Sequence, residues 1–480
     1  MKDTIVRIKE IRIQNFKNVA NGEIVLIDEK SNYKASILGL YGQNGSGKTA
    51  LIDALSILKA SICGNVIPES FANCINVGAS FAAFRFVFSL EDISDKKKYD
   101  INYELKIKKI ADKGKQNIDN PGEITYKTVI FDEVLSYSFR PDGGRKKTYT
   151  IMNTALNGLF VSRKILIDLF GGSKSTETDM LVAKKVTSET SRSCVFSYEV
   201  MNAARKQHNG GNNTRPVFDN TKNILYYIME CLVDFGHYYL YVIPTANSAL
   251  NSLNMLSLSF RYKEGLDIAS GVIPINLSGS TLIPEPLFNI VKSVIKDMNV
   301  VLKTIIPDML IDVVNLGEQL LADGSKGIIM QFTSLKNGKE IPLQFESEGI
   351  RKIIAVLHLL IAVYNDPSVT VAIDELDAGV FEYLLGELLR IIAENGKGQL
   401  IFTSHNLRPL ETLDKKFVAF TTTNTNNRYI RLKNVKTNNN LRDFYYRDIV
   451  LGEQDDSVYN MTNNYEIALA FKEAGEVSGS

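Results

Sequence analysis

The sequence predicts an α/β protein with a mixed β-sheet, assembled from both ends of the chain around a largely helical inserted lobe. Three observations carry this. Strand and helix patterns alternate over residues 1–60 and return from residue 311. A glycine-rich turn, Gly42-Gln43-Asn44-Gly45-Ser46-Gly47-Lys48-Thr49, joins an apolar strand to an amphipathic helix. Far downstream a short apolar run, Val371-Ala372-Ile373, ends in two acids, Asp374 and Glu375. The expected division is 1–150 for the first half of the α/β unit, 151–310 for the inserted lobe, and 311–480 for the second half with a short tail.

Taken in order, "IVRIKEIRIQNF" alternates apolar and polar residues as a half-buried strand does. "GEIVLI" is a second strand, and "ASILGLY" a third, apolar one that ends at Gly42. Beyond the turn, Leu51, Ala54, Leu55 and Leu58 fall on one face of a helix. "FAAFRFVFSL" and "YDINYELKIKKI" continue a β-rich pattern to about residue 150. In the middle, the Gly- and Asn-rich stretch after His208 is a loop by composition. Residues 223–243 form a buried helix running into a strand, and 286–305 an amphipathic helix closed by Pro307. "SVTVAIDE", "GQLIFTSHN", "FVAFTT" and "RYIRLKN" are strands of the second half. "FEYLLGELLRII" is a helix with Phe381, Leu384, Leu385, Leu388 and Ile392 on one face. A last helix, "YEIALAFKEAGEV", closes the chain.

Composition sets limits. The 480 residues are 45% apolar and 23% charged, the balance of a soluble globular protein of more than one lobe. No 18-residue apolar run is present, so no membrane span or membrane partner is expected. The charged, alternating N-terminus reads as a strand rather than a signal peptide, and the cytoplasm is the expected location. Cys63, Cys74, Cys194 and Cys231 are too scattered for a zinc site or disulfide framework. Net charge is +1, so the whole-chain field does not announce a nucleic-acid binder; DNA contact is left to local basic runs such as Lys96–Lys98 and Arg145–Lys147.

Gly42–Thr49 fits G-x-x-x-x-G-K-[ST], the pattern that cradles nucleotide phosphates. Its glycines let the backbone curl so that N–H groups converge on phosphate oxygens, and the next helix adds its positive end. Asn44, Gly45, Ser46 and Gly47 would line that cradle. Lys48 would neutralise β/γ-phosphate charge, and the Thr49 hydroxyl would ligate Mg²⁺. An acid pair after a buried strand complements this: Asp374 would hold Mg²⁺ through water, and Glu375 would orient or deprotonate the attacking water. Ser404 and His405 end the next strand, which should run parallel to that of Asp374. His405 is then in place to reach the γ-phosphate. His208, His237 and His358 read as structural. ATP and Mg²⁺ are the expected cofactors.

The order of P-loop, "DELDAG" and "TSH" is similar to that of ABC-type ATPases, and the chain resembles their SMC, RecF and OLD branch. "IRIQNFKNV", with Asn15-Phe16-Lys17, resembles the N-terminal strand of that branch, and the wide separation of Lys48 from Asp374 matches its split ATPase halves. The resemblance covers 1–60 and 340–435. It implies an ABC/SMC-type P-loop ATPase head. It also implies a signature loop that reaches the γ-phosphate of a second copy. "FESEGIRK" stands in that place: Ser347, Gly349 and Arg351 match, while Glu348 replaces the first glycine, a departure from the branch's pattern. Read from the residues alone, Ser347 is a helix N-cap, followed by Ile350, Ile354, Leu357 and Ile361 on one face. Asp377 matches the branch's dimer-contact loop, and the glutamine of its lid-side loop finds no counterpart.

"ESEGIRK" and "NNNLRDFYYRDIVLG" resemble, more finely, stand-alone AAA-type ATPases of prokaryotic phage-defence operons, Septu PtuA-like or PARIS AriA-like. The resemblance implies a slowly hydrolysing ATPase that forms a homodimer or higher homo-oligomer through an ATP sandwich. It would regulate a separate effector, a nuclease. OLD-type nucleases append a metal-binding domain, for which the stretch after residue 420 is too short, and "GEQDDS" reads as a polar turn. The alternative is a RecF-like DNA-repair ATPase that clamps DNA. A transporter subunit fits poorly with the long insertion.

Overall fold

The computed structural model describes residues 4–26, 34–93, 97–116, 124–141, 144–209, 224–245, 255–264, 267–433 and 440–477. The loop expected after His208 falls outside them from residue 210.

β1 (Thr4–Phe16) returns as β2 (Val19–Val25) through Lys17 and Asn18, with Lys17 at φ 51°, a left-handed conformation that a two-residue turn demands. β3 (Ser36–Tyr41) is buried along its whole length, as a central parallel strand must be. The P-loop delivers it into α1 (Lys48–Ile62), whose Leu51, Ile52, Ala54, Leu55, Ile57 and Leu58 are all fully buried, so most of this helix's circumference is enclosed and a stripe through Thr49, Ser56 and Ala60 is half-buried. β4 (Ala82–Asp92), β5 (Lys97–Gln116), β6 (Ile124–Phe139) and β7 (Lys147–Asn153) follow. They complete a six-stranded antiparallel sheet of order β2-β1-β4-β5-β6-β7. Phe84, Phe86 and Phe88, at every second position of β4, turn to one buried face.

The chain then packs α2 (Arg163–Phe170), α3 (Lys174–Glu189), α4 (Tyr198–Asn209) and α5 (Ile224–Asp234). A π-helical turn at Phe235–Tyr239 leads into β8 (Leu240–Ile243). Next come β9 (Met255–Glu264), β10 (Asp267–Asn276), β11 (Thr281–Pro284) and α6 (Glu285–Ile305). The segment expected to be a largely helical lobe therefore holds β-structure as well as helices. Its buried "LYVI" pairs in parallel with the strand of Asp374, so this stretch of the insertion is part of the main sheet.

In the second half, β12 (Met309–Leu320), β13 (Lys326–Lys336) and β14 (Lys339–Pro342) form a small antiparallel sheet with β11. There follow α7 (Glu348–Asn365), β15 (Thr370–Ile373), α8 (Glu382–Asn395), β16 (Gln399–Thr403), β17 (Val418–Thr421), β18 (Tyr429–Ile430), α9 (Leu441–Leu451) and α10 (Asn464–Val477). The main sheet has the order β18-β17-β3-β16-β15-β8, parallel except for the β17–β18 pair. This is the α/β fold with a mixed sheet that the sequence predicts. One expected detail differs: Phe381 precedes the first turn of α8 and is 70% exposed, and the buried face is Leu385, Leu389 and Ile392. Among the described residues no helix is long and apolar enough to cross a membrane.

Candidate nucleotide site

A fully buried strand followed by a helix fixes the P-loop at the C-terminal edge of the main sheet, where parallel α/β sheets hold ligands. Two glycines are required there. A Cβ on Gly42 would lie 1.8 Å from Thr421 Oγ1. Gly47, the N-cap of α1, takes φ 97° and is wedged against Val19, Asn18 and Arg428. No side chain caps α1, which leaves its first N–H groups to an anion. Ser46 Oγ donates to Gln43 O at 2.6 Å and accepts from Thr421 Oγ1 at 2.5 Å, stiffening the turn. Lys48 Nζ donates to Gly42 O at 2.8 Å and Gln43 O at 3.0 Å, coiled back on its own loop. Burial lowers its pKa, and the nearby carboxylates of Asp374, Asp377 and Glu375 oppose that shift.

The acids arrive from β15. Asp374 N donates to Ile243 O at 2.9 Å, extending the β8–β15 ladder by one bond, and the residue is 1% exposed. Thr403, at the end of β16, bridges the acid pair: its hydroxyl donates to Asp374 Oδ1 at 2.5 Å and accepts from Glu375 N at 2.8 Å. Glu375 itself sits at φ 49°, a left-handed conformation that costs a non-glycine residue about 1 kcal/mol or more and persists only where neighbours impose it. Asp377 Oδ2 accepts from the backbone N–H groups of His405 (3.0 Å) and Asn406 (2.9 Å) and so shapes the histidine turn. Its other oxygen is buried without a hydrogen-bond partner. Burial and the Lys48 charge lower the His405 pKa, against the pull of Asp377, Glu375 and Asp374, so the imidazole is neutral at pH 7.

These residues enclose one cleft of about 350 Å³, lined by Asn44, Gly45, Ser46, Gly47, Lys48, Thr49, Asp374, Glu375 and His405, together with Lys17, Asn18, Ala50 and Thr403. Ser347 and Gly349 are not among the lining residues. Ser347 is exposed and caps α7, accepting from Ile350 N at 3.3 Å. Gly349 is pressed against the turn after the acid pair, where a Cβ would come within 1.9 Å of Gly379 O.

Several site residues escaped sequence reading. Lys17 pairs with Asp53 of α1 and lines the cleft. Tyr429 OH donates to Gly47 O at 2.9 Å, and Arg428 donates to Thr422 O and Asn18 O, each at 2.5 Å. Thr245, just after β8, donates to Asp374 Oδ2. The "GEQDDS" turn also has a partner. Asp456 accepts from Asn424 and Asn427, and Asn460 N then donates to Gln43 Oε1 at 2.9 Å, which fastens the tail to the P-loop. Only the Asn15-Phe16-Lys17 stretch gave a hint of this in the sequence.

A phosphate cradle followed by a basic side chain, and facing two acids and a neutral imidazole, defines a P-loop ATPase. The chain belongs to the family described as AAA ATPase domain (AAA_15), whose model matches residues 7–408. No curated protein matches it. Among solved structures it is similar to an Smc head domain from Pyrococcus furiosus bound to the C-terminal domain of ScpA: 12% identity, TM-score 0.36, covering 89% of this chain and 96% of that one. It is similar also to the SMC head domain from Thermotoga maritima, at 14% identity and TM-score 0.33, covering 89% and 99%. A third is the recombination mediator protein RecF, at 13% identity and TM-score 0.32, covering 84% and 94%.

Proposed function

We propose that this ATPase binds ATP with Mg²⁺, turns it over slowly, and works as a sensor or regulator of a separate effector, a nuclease of a prokaryotic antiphage defence system. The observation that carries the ATP reading is the convergence of Lys48, Thr49, Asp374, Glu375 and His405 on one cleft from three distant stretches of chain. The residues fit the group. Lys48 Nζ has only loop carbonyls to leave for phosphate oxygens. Among the described residues no cluster of three or more acids, histidines or cysteines could hold a metal. Mg²⁺ suits such a site, since it commonly takes one or two protein groups, here the Thr49 hydroxyl directly and Asp374 through water, and completes its shell with phosphate and water. Bound there, it would neutralise charge that develops on the phosphates. Glu375 would orient or deprotonate the attacking water, and neutral His405 would offer a hydrogen bond beside it.

The partner side of the proposal rests on Ser347. It lies outside its own chain's cleft and two residues after Phe345; Phe345 and Phe381 are each 70% exposed. A second copy docking there would close two clefts at once. Light scattering on Glu375→Gln with ATP should show doubled mass, lost in Ser347→Arg; a mass unchanged by ATP would overturn the sandwich. The effector is tested by purifying the tagged chain from its host with Mg²⁺ and ATP. A co-purifying nuclease whose activity follows the nucleotide state establishes the regulator. A chain that returns with DNA alone favours a RecF-like clamp.

A further inference from the structure

Asp374 is gripped from both sides. Ile373 pairs in parallel with Ile243 of β8 and with Phe402 of β16, so the ends of both neighbouring strands flank the acid that follows it. From one side Thr403 donates to Oδ1 at 2.5 Å; from the other Thr245 donates to Oδ2. Pro244, which has no N–H, ends the β8 ladder between Ile243 and Thr245. The chain is thereby freed to bring the Thr245 hydroxyl over the carboxylate. A carboxylate oxygen accepts more than one hydrogen bond, so both grips leave lone pairs for the cleft.

We propose that Thr245 is a positioning residue of the nucleotide site, which fixes the Asp374 carboxylate for a hydrated cation and ties β8 of the inserted segment to the state of that carboxylate. The proposal rests on the ATP–Mg²⁺ reading above. Its physical basis is that groups holding a metal's ligands tune the site nearly as strongly as the ligands do. Two hydroxyls, one at the end of β16 and one just beyond β8, leave the Asp374 side chain a single orientation, and losing one lets it rotate away from the cleft. Because Thr245 lies 129 positions from Asp374 and directly follows β8, a cation that draws on Oδ2 pulls directly on the end of that strand.

The test uses the full chain as Thr245→Val, which keeps shape and removes the hydroxyl, and Thr245→Ser, which restores it. Mn²⁺, read by electron paramagnetic resonance, stands in for Mg²⁺ in titrations with a non-hydrolysable ATP analogue. Thr245→Val should weaken Mn²⁺ binding about tenfold. It should leave metal-free analogue affinity unchanged, and Thr245→Ser should recover the parent value. Parent-like Mn²⁺ binding in Thr245→Val overturns the proposal, as does a loss that serine does not restore. A parent chain that takes up the analogue but no Mn²⁺ overturns the magnesium reading, and the proposal with it.

Discussion

The side chain of Gln399 pairs with the backbone of Ile8 as a neighbouring strand would. Ile8 N donates to Gln399 Oε1 at 2.7 Å, and Gln399 Nε2 donates to Ile8 O at 2.8 Å. The β1–β4 register slips between Ile8 and Glu10, and among the described residues β2 pairs β1 only from Glu10 onward, so no described strand pairs Ile8 on its other side. Gln399, fully buried at the start of β16, fills that place and also accepts from Thr370 Oγ1 at 3.0 Å. One amide thus joins the antiparallel sheet to the parallel one. Gln399→Leu leaves two backbone groups and a hydroxyl unpaired in the core. It should destabilise the fold by about 2–4 kcal/mol, measured by urea unfolding; a loss within error would show that the sheets are joined by apolar packing alone.

Lys48 and Glu375 both line the cleft, and their substitutions should separate binding from turnover. Lys48→Ala removes the buried cation and should weaken ATP affinity at least tenfold by calorimetry. Glu375→Gln keeps shape and the Thr403 contact, which is made by the backbone N–H, and should bind ATP as the parent does while turnover falls at least a hundredfold. Persistent turnover in Glu375→Gln would place the general base elsewhere.

The fold and the chemistry were legible in the sequence to different depths. β3, β15 and β16 are short, largely apolar, buried along their whole length and followed by chemistry-bearing residues, so both their burial and their common edge could be read from local pattern. The P-loop, the acid pair and His405 were likewise findable, because each is a local motif. Thr245, Arg428 and Tyr429 were not, since their roles arise only when β8 and β18 take their places in the sheet. Phe381 was misplaced on a buried face because helical periodicity does not mark where the first turn begins. β8 was correctly expected as a strand, yet nothing in "LYVI" says which sheet it joins.

Gly349 has a steric reason to be glycine that is independent of any nucleotide. Its Cα faces Gly379 O so closely that a Cβ would sit 1.9 Å away, and the obstacle is backbone rather than a yielding side chain. Gly349→Ala must therefore part the start of α7 from the turn after Glu375, at a cost of about 2 kcal/mol. A lowered melting temperature without ATP is expected, together with slower turnover because the Glu375 turn shifts. Unchanged melting with impaired turnover would instead assign the glycine to nucleotide contact.

His358, in the middle of α7, gives a pH signature. It is 6% exposed and packs beside β9, with Arg261 N donating to its Nδ1 at 3.3 Å. Burial lowers its pKa to about 4; the Asp297 charge opposes the shift and that of Arg261 adds to it. The folded value lies below the unfolded one of about 6.5, so in the interval between them the unfolded chain binds the proton more readily. Stability is therefore fully present above about pH 6.5 and falls as the pH drops toward about 4, by about 3 kcal/mol if His358 acted alone. Carboxylates titrate in the lower part of this range, so the diagnostic quantity is the difference between the parent and His358→Gln, which cannot take up the proton. Urea unfolding at pH 7.5 and pH 5 should show the parent losing more stability than His358→Gln over that step. Equal losses would mean that the imidazole finds a partner for its charge inside the fold.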